Sequence, residues 1–175
     1  MKLYVIVDYE NDFVDGSLGF PGAEKLDEGI VARGQQVLAE GGQIVEIHDT
    51  HHSDYLETRE GRTLPVEHAI YGTLGWAIYG KTGEWLKTFP HTLIMKSTFG
   101  VAPDIMLQLP DDVEEIEIVG LVTNMCVISC ACVFQARYPN AQIYVHESLV
   151  ASFNKELHEQ ALNVMEGMQI KIIRG

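Results

Sequence analysis

The sequence predicts a three-layer α/β domain in which a six-stranded, mostly parallel sheet lies between two helical layers. Short β-branched runs recur along the chain and alternate with longer stretches of helical character. The runs are apolar throughout instead of alternating in polarity, as in strands buried on both faces. Three of them end in Asp8, Asp49 and Lys96, and Cys126 follows closely after the fourth. In a parallel sheet those positions share one rim, the carboxyl end, where such sheets bind ligands.

The elements follow in order. Leu3–Val7 is the first strand, and the turn-rich stretch from Tyr9 to Gly22 is a loop. A helix is expected over Ala23–Glu40, with Leu26, Ile30, Val37 and Leu38 inward and Gly41-Gly42 as its stop. Gln43–His48 is the second strand. From His51 to Tyr79 no period is visible, and a loop of that length in a compact domain is usually functional. A short helix over Gly83–Lys87 leads to a third strand, Thr92–Met95, and a short amphipathic helix covers Pro103–Leu109. The fourth strand, Ile116–Val122, meets Thr123 and Asn124, which can cap a helix running to Arg137. Gln142–His146 is the fifth strand. Asn154 caps a last helix with Leu157, Ala161, Leu162 and Met165 inward, and Gln169–Ile173 is the sixth strand. There is no internal repeat or linker, so residues 1–175 are read as one domain.

Composition narrows the function. Hydrophobic residues at 46% and charged residues at 21% are those of an ordinary globular chain. A net charge of −13 argues against a nucleic-acid partner, which needs a basic face. No apolar run reaches the ~20 residues of a membrane helix, and Asp8 comes too soon for a secretory signal. A cytoplasmic protein without a membrane partner is expected. The three cysteines, 126, 130 and 132, fit reduced thiols, with packing the expected role of Cys130 and Cys132.

Cys126 is placed in the first turn of a helix, where N–H groups and the dipole favour thiolate and can hold an oxyanion. A buried cysteine can equally be a small hydrophobe. Asp8, Asp49 and Lys96 taken singly could be rim charges kept for solubility. Together, a carboxylate, an amine and a thiol on one rim make a nucleophile, a base and an electrostatic partner. The long loop adds Asp49-Thr50-His51 and His68, a plausible metal arrangement. His52, Asp54, Glu57, Glu60 and Glu67 crowd the same loop, and spacing does not choose a further ligand among them.

Four motifs in order resemble the isochorismatase-like cysteine hydrolases, and most closely their nicotinamidase/pyrazinamidase branch. They are Val7-Asp8-Tyr9-Glu10-Asn11-Asp12-Phe13; Asp49-Thr50-His51 with Pro65-Val66-Glu67-His68; Lys96 in Met95-Lys96-Ser97-Thr98-Phe99; and Gly120-Leu121-Val122-Thr123-Asn124-Met125-Cys126. The resemblance spans nearly the whole chain and implies the isochorismatase-like hydrolase fold. It implies a triad of Asp8, Lys96 and Cys126, and a cis peptide at Leu121–Val122 that aims the Val122 and Cys126 N–H groups at an oxyanion. It implies a divalent metal, zinc foremost with iron or manganese as alternatives, on Asp49, His51 and His68. For the remaining ligand Glu60 is the candidate and Glu57 the reserve. Phe13, Trp76, Tyr79 and Phe99 are candidate walls for a flat ring, with core packing the alternative for Trp76 and Tyr79.

The implied activity is hydrolysis of nicotinamide to nicotinate and ammonia through a Cys126 thioester, in pyridine nucleotide salvage. Two other readings are carried beside it: a related hydrolase of another small amide, ureide or carbamoyl compound, and a non-catalytic binding protein that kept the fold. Self-association is expected only by analogy with relatives.

Overall fold

The computed structural model describes residues 1–175. Six strands form one sheet in the order β3-β2-β1-β4-β5-β6, every neighbouring pair parallel. They are β1 (Lys2–Val7), β2 (Gln43–Asp49), β3 (Thr92–Lys96), β4 (Glu115–Leu121), β5 (Gln142–Ala151) and β6 (Lys171–Ile173). The α-helices are α1 (Asn11–Val14), α2 (Asp27–Ala39), α3 (Arg59–Thr63), α4 (Gly80–Leu86), α5 (Ile128–Arg137) and α6 (Lys155–Gly167). The expected six-stranded sheet is present and is parallel throughout.

Strand alternation builds the layers. Leu3, Val5 and Val7 of β1 pack with Phe134 of α5 and with Leu162 and Met165 of α6. Tyr4 and Ile6 of the same strand pack with Ile30 and Val37 of α2 and Leu86 of α4. Both faces of β1 are therefore core, which is why its sequence shows no polar alternation. Gly34 of α2 lets α4 approach: a Cβ there would come within 2.3 Å of the Trp85 ring.

Most differences from the sequence reading lie at element ends. Ala23–Leu26 is a 3₁₀ turn and α2 begins only at Asp27; Leu38 is half-buried. The Gly83–Lys87 helix starts earlier, at Gly80, and Pro103–Leu109 yields only a 3₁₀ turn, Ile105–Gln108. The 51–79 loop contains α3 and a 3₁₀ turn at Tyr55–Glu57. β5 runs five residues past His146, because a bulge lets Val150 pair with Gly120 after Val145 has paired with Ile118. Asn154 caps α6, its Oδ1 accepting from the Leu157 N–H at 3.0 Å. Leu157 itself is 39% exposed, not inward, whereas Ala161, Leu162 and Met165 are buried. Cys130 is buried as expected, but Cys132 is exposed.

One buried charge holds α2 to the sheet. Glu117 of β4 accepts from Arg33 Nε at 2.7 Å, lies 2.8 Å from His146 Nε2, and has Lys2 Nζ at 3.3 Å. Burial alone would raise its carboxyl, but Arg33 and His146 hold it well below the ordinary range. A depressed folded value means stability that is present above the ordinary carboxylate range and lost on acidification. Glu117→Ala removes the carboxylate that Arg33, His146 and Lys2 share, leaving Arg33 to Gln36 and Glu40, and is expected to cost about 1–3 kcal/mol, read from urea unfolding midpoints at neutral pH.

Candidate active site

Four adjacent strands deliver their ends to one rim, and Asp8, Lys96 and Cys126, the residues expected as a triad, meet there. Asp8 follows β1 in a left-handed conformation (φ 47°), which turns its carboxylate out of the strand's alternation. Lys96 closes β3, with Nζ 2.7 Å from Asp8 Oδ2, 3.4 Å from Asp49 Oδ1 and 3.5 Å from Cys126 Sγ. Asp8 is 1%, Lys96 4% and Cys126 8% exposed, so these charges interact with little screening. Asp8 Oδ1 has no hydrogen-bond partner, and the Cys126 thiol is within hydrogen-bonding reach of this carboxylate.

Cys126 lies in a π-helical turn, Thr123–Val127, with α5 beginning only at Ile128. Neither Thr123 nor Asn124 caps it. Thr123 Oγ1 lies 2.8 Å from His158 Nδ1 of α6, and Asn124 Oδ1 accepts from Ser152 Oγ at 2.6 Å. The turn is thus tied to α6 and to the segment after β5. The Leu121–Val122 peptide is cis, as the resemblance implied. Just before it, Gly120 has φ 111°, and a Cβ there would meet Val7 O at 2.0 Å. Only glycine lets β4 bring the turn this close to β1.

The electrostatics correct one expectation. A thiolate favoured by the helix start is not the resting form: burial first, then Asp8, push the Cys126 thiol well above its ordinary value, with Lys96 opposing. Burial also raises the Asp8 carboxyl, Lys96 opposes and Asp49 adds, leaving it at about 6. At neutral pH the set is therefore a thiol beside an ionised carboxylate and an ammonium.

Asp49, His51, Glu60 and His68 each bring a donor atom within 4.8 Å of the others. His51 Nε2 is 3.0 Å from Asp49 Oδ2 and 3.8 Å from Glu60 Oε1, and His68 Nε2 is 3.4 Å and 3.7 Å from the same two atoms. Burial alone would lower His68, yet Asp49 and Glu60 raise it to about 10. Two carboxylates with two imidazoles, in a field that favours positive charge, fit a divalent cation such as zinc. Glu57, the reserve candidate, is exposed and outside the cluster.

The Asn11-Asp12-Phe13 motif positions this loop. Asn11 Nδ2 donates to Leu74 O at 2.7 Å, and Asp12 Oδ2 accepts from the Ala69 N–H at 2.9 Å. The Phe13 ring meets His68 edge-on at 5.4 Å. A cavity of about 400 Å³ joins Asp8, Cys126 and Val122 to Asp49, Glu60 and His68, with Phe13 and Phe99 in its wall. Trp76 and Tyr79 do not line it. Trp76 packs on His48 at 4.5 Å and donates through Nε1 to Thr50, while Tyr79 packs edge-on against Tyr9 in the core. Leu18, Phe20, Leu64, Met125 and Phe153 line it instead. Their only sequence signal is being apolar in segments next to strand ends.

Glu10 also escaped the sequence reading. It is 0% exposed, both carboxylate oxygens lack a hydrogen-bond partner, and Oε1 lies 4.0 Å from His48 Nδ1. Burial, then Asp8 and Asp49, raise its carboxyl well above the ordinary range. A raised folded value means that stability is lost as pH climbs above the unfolded value. Glu10→Gln keeps the shape and removes the proton cost. It is expected to gain about 1–2 kcal/mol at pH 8 and nothing near pH 4, seen as a pH-dependent rise in melting temperature.

A family model describing the Isochorismatase domain matches residues 2–174. A curated relative, the uncharacterized isochorismatase family protein PncA of Bacillus subtilis (strain 168), is 33% identical over 173 residues. The match covers 93% of this chain and 92% of the relative. Among solved structures, the nicotinamidase/pyrazinamidase PncA of Bacillus subtilis superposes with a TM-score of 0.85 at 28% identity, covering 98% of each chain. The pyrazinamidase of Pyrococcus horikoshii in complex with zinc shares the fold, with a TM-score of 0.82 at 22% identity and 99% of each chain covered.

Proposed function

The chain belongs to the isochorismatase family, and from that premise we propose that it is an amidohydrolase that converts nicotinamide to nicotinate and ammonia. The observation that carries the reading is one cavity joining a Cys126–Asp8–Lys96 cluster to a four-donor metal cluster. The similarity to nicotinamidase/pyrazinamidase structures supports it.

In this mechanism ionised Asp8 takes the Cys126 proton as the sulfur attacks the amide carbon. The Val122 and Cys126 N–H groups receive the oxyanion, a contribution of about 3 kcal/mol per donor in comparable sites. Asp8 passes its proton to the departing ammonia, leaving a thioester, then takes a proton from the water that attacks the thioester; the carbon–sulfur bond breaks, the acid leaves, and Asp8 returns that proton to the Cys126 sulfur. Lys96 keeps Asp8 oriented and favours negative charge on sulfur. A divalent cation bound by Asp49, His51, Glu60 and His68 would supply a Lewis acid for a ring nitrogen of the substrate. Zinc, iron or manganese suits that donor set. Phe13 and Phe99 are assigned to the faces of the ring. The reaction is placed in cytoplasmic pyridine nucleotide salvage.

The cavity wall contains Asp8, Asp49 and Glu60 but no lysine or arginine. A neutral amide therefore suits it better than a carbamoyl acid, whose carboxylate would face these three acids with no ammonium or guanidinium in the wall to offset them. The test is ammonia release from nicotinamide and from a panel of neutral and anionic carbamoyl compounds, using metal-loaded protein. Release from the anionic compounds alone would sink the nicotinamide reading. pH supplies a second test. Asp8 acts only when ionised, so kcat/KM is expected to fall about tenfold per unit below pH 6 and to level off above it. Its effect on stability runs the other way: the raised carboxyl weakens the fold as pH rises from the ordinary aspartate range through 6.

A further inference from the structure

The cavity over Cys126 changes character with depth. Its innermost groups are polar and shielded: Asp8, His68 and Asp49 are each under 5% exposed. Its outermost groups are apolar and open: Leu64 is 38%, Phe99 40% and Phe153 58% exposed. Phe20, from the loop after α1, meets Phe153, from the segment between β5 and α6, edge to face at 6.1 Å. Scattered surface hydrophobics are ordinary, but these are contiguous with the reaction site. A volume of about 400 Å³ falls within the range of pockets that enclose drug-sized molecules, more than a single ring with one carboxamide fills.

We infer that Phe20, Phe153 and Leu64 form an outer subsite for an apolar substituent on the substrate ring. The substrate class is then neutral heteroaromatic carboxamides bearing an alkyl or aryl group, of which nicotinamide is the unsubstituted parent. This deepens the amidohydrolase reading and rests on it. The reacting amide and the ring nitrogen occupy the shielded end, and the substituent removes the exposed phenylalanine faces from water. The absence of lysine and arginine from the wall sets the sign: the extension is uncharged, and a phosphate or carboxylate there is rejected.

The test compares nicotinamide with nicotinamides carrying a phenyl group at successive ring carbons. Steady-state kinetics are run on metal-loaded wild type and Phe153→Ala, and equilibrium binding is measured on Cys126→Ala with and without Phe153→Ala. For at least one isomer the KM is expected about tenfold below that for nicotinamide. Phe153→Ala is expected to close that ratio about tenfold, as loss of one apolar contact surface does. Equal KM values for all isomers and nicotinamide, or a Phe153→Ala effect equal on both, overturns the subsite. So does a loss of self-association in Phe153→Ala that moves both KM values together, because the mouth is then a contact between copies. If neither amide is hydrolysed but a phenyl isomer binds Cys126→Ala in a Phe153-dependent way, the amidohydrolase reading fails and the subsite stands. If nicotinamide is hydrolysed and no phenyl isomer binds, the subsite fails alone.

Discussion

Cys126→Ala is expected to lower ammonia release from nicotinamide by at least about 10⁴-fold while the protein still folds. The sulfur is the only nucleophile in the proposed chemistry, and enzymes stripped of theirs keep only what binding and oxyanion donors provide. The fold should tolerate the change because the side chain is small and the cavity lies beside it, so the lost packing costs about 1–2 kcal/mol. Asp8 and Lys96 keep their 2.7 Å contact without the sulfur. Two measurements separate the chemistry from the fold: circular dichroism melting, and mass spectrometry of acid-quenched wild type for an acyl adduct on Cys126. Cys130 is the internal control, since it packs in the core and its thiol is pushed up to about 12, chiefly by burial. Cys130→Ala should retain turnover. Normal activity in Cys126→Ala would overturn the covalent mechanism.

The second large effect is expected at the metal cluster. His51→Ala removes one of four donors and should weaken divalent metal binding by at least about 100-fold, more than loss of an outer-shell partner does. Metal content after dialysis, measured by elemental analysis, should drop from near one ion per chain to near none. Glu60→Gln should weaken binding less, because an amide oxygen still reaches the site without its charge. Glu57→Gln should change nothing. Tight metal binding retained by His51→Ala would place the cation elsewhere, and a loss in Glu57→Gln would exchange the two glutamates.

The sheet was legible because strands buried on both faces give a one-line signal, and their ends are where charge first becomes tolerable. Asp8, Asp49 and Lys96 stood out for that reason, and the structure puts the two carboxylates around the Lys96 ammonium. Helix ends were less legible. Ala23–Leu26 and Thr123–Val127 have helical composition, but the chain must turn there at a pitch set by Leu26 in one core and by His158 and Ser152 across the fold. The thiol's charge state could not be read from position alone. A helix start favours thiolate, and burial beside Asp8 outweighs it, but burial is a property of the assembled core. Trp76 and Tyr79 were misplaced for a related reason. They sit in a loop without period whose path is fixed by Asn11 and Asp12, more than fifty residues earlier. Glu60 was chosen over Glu57 through resemblance, and the short helix α3 supplies the physical reason by carrying it back toward His51 and His68.

The sheet order has a consequence for how the protein is made. β1 leaves the ribosome before the other five strands of the sheet, and it pairs on one side with β2 and on the other with β4. At roughly 5–20 residues per second, β4 follows β1 after about 5–20 seconds of synthesis. Until then the Leu3–Val7 run keeps one open edge and no complete cover, the condition under which strands pair with the wrong chain. Yield in a fast-translating host should therefore depend on chaperone supply and improve with slower elongation at low temperature.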